Sequence, residues 1–278
     1  MIRRTYPALM ALVFAGLASP AFADDQVGDY NGPYIAISGG LATHSDDSND
    51  SITFDTNRDG KYFDVVRTST GANAFSPGFC NGSSVQNSNA TVACTADHDA
   101  AQYAARIGYD NRYGDIVMGV MIEGAKSNAT DSTTAFSSTP AGYSFTRGVD
   151  YSISARARIG YAPGHRGLMY VTGGPSYAKI NHSFTTTNTA NSFTPVNNDK
   201  MVLGFQGGAG AEVGLGGGLT LGMEYLYNRY HDDKYYVAIG NGTAGPTNPF
   251  VLAGGVNAQP TEYRYDFHTF SAVLGFRF

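Results

Sequence analysis

The chain has no tryptophan, two cysteines in 278 residues, and only 15% charged residues. It also lacks any apolar run long enough to cross a bilayer as a helix, which needs about 20 consecutive residues. Its mean hydropathy of -0.21 is far too polar for a bundle of membrane helices. A net charge of -5, with no basic stripe anywhere, excludes a nucleic-acid binder. Two cysteines are too few for a small disulfide scaffold or a thiolate zinc site. What the chain has instead is glycine, tyrosine and short alternating segments: 35 Gly, 19 Tyr and 16 Phe.

The N-terminus addresses the chain for export. Arg3 and Arg4 precede an apolar stretch from Ala8 to Ala18, followed by Ser19-Pro20-Ala21-Phe22-Ala23. A basic start, a short apolar core and a small-x-small site make a secretory signal peptide over residues 1–23. Residues 24–32 then form a short periplasmic segment, and residues 33–278 the remaining domain.

Side chains alternate across a strand, so a period of two marks a strand with two unlike faces. Tyr103, Ala105, Ile107 and Tyr109 alternate with Gln102, Ala104, Arg106 and Gly108. The same pattern recurs over Ile116–Glu123, Tyr151–Tyr161, Leu203–Gly214 and Leu219–Asn228, and less cleanly over Pro33–Thr43 and Gly167–Phe184. Phe270–Phe278 closes the set of eight, with Phe278, Phe276, Leu274 and Ala272 on one face. Three connections are tight: Asp110–Gly114, Pro163–Arg166 and Gly216–Gly218. They alternate with long polar connections at about residues 44–99, 126–149, 185–200 and 231–264. Short turns at one end and long loops at the other predict an all-β, eight-stranded antiparallel up-and-down transmembrane barrel with short periplasmic turns and four long extracellular loops.

Several of these stretches resemble a known family. Ser154-Ala155-Arg156-Ala157-Arg158-Ile159-Gly160-Tyr161, Tyr170-Val171-Thr172-Gly173-Gly174, Gly222-Met223-Glu224-Tyr225 and Gly275-Phe276-Arg277-Phe278 are similar to the eight-stranded outer-membrane barrel superfamily of the OmpA transmembrane domain, OmpX and the opacity proteins. Within it, the opacity-like surface proteins of alphaproteobacteria look most alike. The resemblance spans nearly all of the mature chain and implies a monomer in the outer membrane of a Gram-negative bacterium. It also implies contact with lipid and lipopolysaccharide, and assembly by the barrel assembly machinery, which would read the terminal aromatics Phe276 and Phe278. It specifies no chemistry. The absence of a C-terminal periplasmic domain means that peptidoglycan anchoring is not implied, and the first loop is long for so small a barrel.

The inward faces carry Arg106, Glu123, Arg156 and Arg158 on three consecutive strands, and Glu212, Glu224 and Arg277 on the last three. Charges in a narrow lumen need partners, so pairs such as Arg106–Glu123 and Glu224–Arg277 are expected. They would form either a salt-bridged plug or the constriction of a pore, and Gly204, Gly208, Gly210 and Gly214 leave space on one wall. Outward tyrosines Tyr103, Tyr109, Tyr151, Tyr161, Tyr225 and Tyr227 suit the aromatic girdles of the lipid boundary.

Loop one holds both cysteines, Cys80 and Cys94, expected to form a disulfide in an exported protein; the alternative of two metal-binding thiolates lacks further ligands. It also holds Asp55-Thr56-Asn57-Arg58-Asp59-Gly60. Asp55, Asn57 and Asp59 match the opening of a calcium loop, but the position of the bidentate glutamate is Val66. An Asp-Gly turn at the tip of an external hairpin accounts for the same residues. His44, His98, His182, His231 and His268 map near the extracellular rim, with His165 in a periplasmic turn. They could bind a transition metal or sense acid, or simply be exposed polar residues. Apart from that calcium reading no cofactor is expected.

A surface or envelope protein recognising a ligand through its loops is the leading functional reading, and a narrow passive pore the second. A lipid-modifying enzyme comes third: His231-Asp232-Asp233, His268 and many serines permit a triad on paper, but no nucleophile motif is present and no enzyme is expected. Phe136, Phe193 and Phe250 interrupt the polarity of the loops and could pack them into a cap or meet a partner.

Overall fold

A computed structural model describes residues 30–44, 50–84, 94–95, 97, 99–164 and 166–278. The signal peptide, His98 and His165 therefore lie outside the described residues. Eight long strands, Gly32–His44, Ala100–Tyr113, Ile116–Ser127, Ala141–Tyr161, Gly167–Thr186, Asp199–Gly216, Leu219–His231 and Arg264–Arg277, make the wall. Each pairs antiparallel with its chain neighbours, and the first pairs with the eighth from Tyr34↔Arg277 to His44↔Phe267. The sheet is thus a closed ring without an edge, which satisfies every ladder position within the wall.

Alternation sorts the two faces as physics requires. Ile37, Ile107, Val120, Ile122, Leu203 and Met223 are exposed on the outside, while Arg106, Val117, Glu123, Arg158, Glu212 and Glu224 are buried inside. An exposed apolar band of this extent is stable only against lipid. The wall is close-packed where strands cross: a Cβ on Gly208 would lie 1.9 Å from the Tyr225 carbonyl oxygen.

Three sequence expectations need correction. The turn placed at Asp110–Gly114 is shorter, because Asp110 pairs with Gly119 and the ladder runs on to Tyr113↔Ile116. Gly114, at φ 63°, then takes the left-handed turn position. Tyr30, expected in a periplasmic segment ahead of the barrel, is fully buried at its base; its hydroxyl donates to the Arg166 and Glu212 carbonyls at 3.0 and 3.1 Å.

The third correction is the largest. The long connections are folded rather than irregular. Ser192–Val196, Tyr236–Gly240, Val256–Pro260 and Ile52–Asp55 form a second antiparallel sheet that joins loops three, four and one. From loop two, Thr130–Ser137 pairs with the extended start of the fourth barrel strand, Ala141–Gly148, and also with Gly78–Asn81 of loop one. Phe54, Phe75, Tyr143, Phe145, Val237, Phe250 and Val256 interlock in one apolar core between these parts, with Phe193 packed against it. Asn248 starts the single helical turn Pro249–Leu252 by accepting from the Phe250 amide at 3.0 Å, which sets Phe250 into that core. The strands of the second sheet have four or five residues each, too few for alternation to stand out from polar loop sequence, and Thr130–Ser137 is buried on both faces.

The fourth barrel strand reaches from lumen to cap through a bulge. Lys179 pairs with Tyr151 but Ile180 pairs with Val149, leaving Asp150 unpaired. The extra residue reverses the facing: Ser152 and Ser154 point inward beyond it, and Arg147 and Val149 before it. Asp150 itself sits between Lys126 and Lys179, at 3.6 and 3.8 Å.

Adding a methyl group at Gly208 drives it into backbone. Gly208→Ala is expected to lower unfolding stability in detergent by about 1–3 kcal/mol, read from the urea midpoint of the refolded protein; an unchanged midpoint would mean that the wall yields at this crossing.

Candidate functional site

The lumen is where the sequence concentrates charge, and the structure stacks those charges in two layers. In the layer nearer the long loops, Arg106 donates to Glu224 through both terminal nitrogens, at 2.9 and 2.7 Å, and its Nε lies 2.8 Å from Glu123. Arg156 joins Glu123 at 2.8 Å and Glu224 at 3.3 Å. In the lower layer Arg158 bridges Asp110 and Glu212, its Nε 2.8 Å from Asp110 and its Nη1 2.8 Å from Glu212. Arg277 lies 2.8 Å from Asp110 and 3.6 Å from Glu212. Tyr170 ties the layers together: its hydroxyl donates to Glu224 at 2.8 Å while Arg158 lies 5.1 Å from its ring centroid.

Each layer holds two guanidinium groups and two carboxylates, so the eight charges cancel. Arg156, Arg158 and Asp110 have fully buried side chains. Such groups have lost their hydration, and only close pairing with several partners offsets that loss. Bidentate geometry at Arg106–Glu224 is the strongest form of it. Tyr30 and Tyr34 seal the base, with Arg277 over both rings at 4.6 and 4.9 Å.

The expected pair Arg106–Glu123 forms because the two residues are direct ladder partners. The expected pair Glu224–Arg277 does not. Glu224 is in register with Ser271, six positions (277 − 271) up the strand from Arg277, or roughly 20 Å at a strand's rise per residue. Arg277 meets Asp110 instead, a lumen residue that sequence reasoning assigned to a turn. Continuing the inward series Gln102, Ala104, Arg106, Gly108 by one step would have found it. The glycines on one wall do not leave an opening either: a Cβ on Gly210 would meet the Tyr170 ring at 2.5 Å, and one on Gly204 the Tyr230 ring at 2.3 Å. They make room for tyrosines from neighbouring strands.

Above the charged layers, Gln206 donates to Asn228 at 2.8 Å, and Ser176 and Tyr230 share a hydrogen bond of 2.9 Å. Ile180, Tyr230, Tyr265 and Phe267 then form an apolar stopper. Between stopper and cap lies a second polar group. Arg147 donates to Asp131 at 2.7 Å and to the Glu262 and Arg264 carbonyls at 2.9 and 2.8 Å. His182 stands between Asp232 (2.8 Å) and the Asn198 carbonyl (2.7 Å), with the Tyr235 ring stacked 4.1 Å away.

The other sequence candidates are scattered. Cys80 and Cys94 are joined as a disulfide with Cα atoms 6.2 Å apart, beside a two-residue ladder of Ser83–Ser84 with Cys94–Thr95. In the Asp55–Gly60 segment, Asp55 accepts from the Asp59 and Gly60 amides at 3.2 and 3.0 Å, and Asn57 and Asp59 accept from the amides two residues on. These bonds build a turn out of the oxygens that a calcium site would use. Thr56 closes it by donating its amide and hydroxyl to Asp64, both at 2.9 Å, which holds the Asp64 carboxyl below the usual aspartate range. Among the described residues no three His, Cys, Asp or Glu side chains are grouped to hold a metal. His268 faces outward and bonds Tyr225 at 2.7 Å, while His231 lies 3.3 Å from Asp233. Phe276 and Phe278 are exposed on the outer face, their rings edge-to-face at 5.2 Å.

No family model matches the chain. A stretch of 112 residues is 34% identical to the 31 kDa outer-membrane immunogenic protein of Brucella melitensis biotype 1, and the protein of that name from Brucella suis biovar 1 matches equally. The match takes in 40% of this chain and 46% of the relative, so the chain spans about half the length of the curated relatives it matches. The chain is an eight-stranded outer-membrane β-barrel protein. Among solved structures, OprG from Pseudomonas aeruginosa aligns with 92% of this barrel protein and 100% of its own chain, at 13% identity and a TM-score of 0.49. Neisserial surface protein A aligns over 89% and 98%, at 13% identity and a TM-score of 0.36.

Removing one charge should unbalance the upper layer of the barrel. Glu224→Gln leaves Arg106 and Arg156 short of an anion and is expected to cost about 3–5 kcal/mol of stability, measured by urea unfolding of the refolded protein in detergent. A midpoint equal to wild type would show that the pairs are dispensable.

Proposed function

We propose that the protein is a surface protein of the Gram-negative envelope, in which a closed barrel anchors a folded recognition cap outside the cell. The observation that carries this reading is the continuous apolar core contributed by all four long connections. Loops that only shield a pore have no need of a shared core, whereas a binding surface gains from rigid support. The paired charges and the stopper of Tyr265 and Phe267 argue against the second reading, a narrow passive pore. The triad drawn on paper from His231-Asp232-Asp233 and His268 is not assembled: His231 lies 3.3 Å from Asp233, while His268 bonds Tyr225 at 2.7 Å on the outer face.

In this reading the outer face meets lipid and lipopolysaccharide, and Phe276 and Phe278 are presented to the assembly machinery. The cap exposes Phe63, Val65 and Leu252, at 80, 44 and 51% of their surface, as apolar points on an otherwise polar shell. The 31 kDa relatives are described as immunogenic, which suits a protein whose folded part faces outward.

Two measurements together test the proposal. Planar-bilayer recordings of the refolded protein should show no unitary current, and a deletion strain should lose surface attachment while small-solute uptake stays normal. Steady single-channel steps with slowed uptake in the deletion strain would replace this reading by the pore.

A further inference from the structure

A cavity of about 430 Å³ lies under the cap, between its sheet and the mouth of the barrel. That size is within the range of small-molecule sites. Its lining is unbalanced in charge: the carboxylates of Asp131, Asp232, Asp233 and Glu262 face a single guanidinium, that of Arg147. Arg147 is fully engaged, with Asp131 and two backbone carbonyls at hydrogen-bond distance and the Asp232 carboxylate at 3.8 Å. It balances Asp131 and is not presented to a ligand anion.

His182 offsets at most one more carboxylate. Both of its ring nitrogens face acceptors, the Asp232 carboxylate and the Asn198 carbonyl. Even with His182 carrying both protons, Asp233 and Glu262 leave the cavity with a surplus of two negative charges. The second imidazole of the lining, His231, lies 3.3 Å from Asp233 at the solvent-exposed edge.

The second observation is Tyr235. It lines the cavity and is only 5% exposed, yet its hydroxyl has no hydrogen-bond partner among the described residues. A buried hydroxyl left unsatisfied costs about 1–3 kcal/mol, so its placement calls for a polar ligand atom. Phe63, Phe145 and Tyr263 add aromatic faces among threonine, glutamine and proline side chains. Phe63 is held at φ 84°, where a bulky L residue is strained, and its ring stands open to solvent. One face of Tyr263 is taken by the Arg264 guanidinium, 5.1 Å from the centroid, which also donates to the Tyr263 hydroxyl at 3.0 Å.

Carboxylates without matching cations, aromatic faces and one unsatisfied hydroxyl are the elements of a site for an organic ammonium ion. We propose that this cavity binds a small primary alkylamine in its protonated form. Asp233 and Glu262 supply the counter-charge, the Tyr235 hydroxyl oxygen accepts an ammonium N–H, and Phe63 with Tyr263 covers the alkyl part. The site rests on its own lining and does not require the outer surface of the cap to recognise a partner.

The test is calorimetric titration of n-butylammonium chloride into the full-length protein refolded in a maltoside detergent, which carries no charge to compete. n-Butanol and n-butanesulfonate serve as the neutral and anionic isosteres. The cation alone is expected to bind saturably. The double variant Asp233→Asn/Glu262→Gln and the single variant Tyr235→Phe should each weaken it about tenfold or more, with unchanged protease resistance of the cap. No saturable heat from butylammonium, equal binding of the three isosteres, or wild-type affinity in both variants would overturn the proposal.

Discussion

Four guanidinium groups facing four carboxylates across a dry lumen are the constraint around which this molecule is built. Placing any one of them there alone would be prohibitive, since an ion deprived of water in a medium of low dielectric loses several kcal/mol even after relaxation. Together they are neutral, and each guanidinium touches two acids: Arg106 and Arg156 share Glu123 and Glu224, Arg158 and Arg277 share Asp110 and Glu212. Because those eight residues come from six different strands, the pairing fixes strand registers around the whole ring. A shift of one residue would turn each charge out to lipid.

A filled lumen also determines what the rest of the chain can do. With no passage to guard, the connections at the long-loop end are free to become structure. The fourth strand shows how the two levels join. Its lower half places Arg156 and Arg158 in the ladder; its upper half, re-phased by the bulge at Asp150, places Arg147 under the cap and Tyr143 and Phe145 within it. One continuous strand therefore carries lumen charge, junction charge and cap core.

The barrel was legible in the sequence because a period of two sustained over ten residues has no other common explanation. Arg106–Glu123 was legible for the same reason, being opposite on adjacent strands. What escaped was whatever depends on register rather than alternation. Arg277 pairs with Asp110 instead of Glu224 because the stagger of a closed barrel sets the height of a side chain, and stagger leaves no local signature. Arg147 escaped because parity counted back from Tyr151 points it outward, and the bulge reverses that parity. The cap escaped because Ile52–Asp55, Ser192–Val196, Tyr236–Gly240 and Val256–Pro260 are each too short to show a period, and apart from the last two, which pair within loop four, they join strands from different loops. Phe250 and Phe193, aromatic residues in polar stretches, were the visible trace of it.

The central claim is that the lumen is dry and its arginines are locked. Hydrogen exchange at the Nε–H groups of Arg106, Arg156 and Arg158, followed by NMR on the refolded protein in lipid nanodiscs, reads that state directly. The account predicts strong protection at all three, against rapid exchange at Arg67, which is exposed in the first long connection. Exchange of the lumen arginines at the rate of Arg67 would mean that water fills the barrel, and the account of a closed anchor would fail.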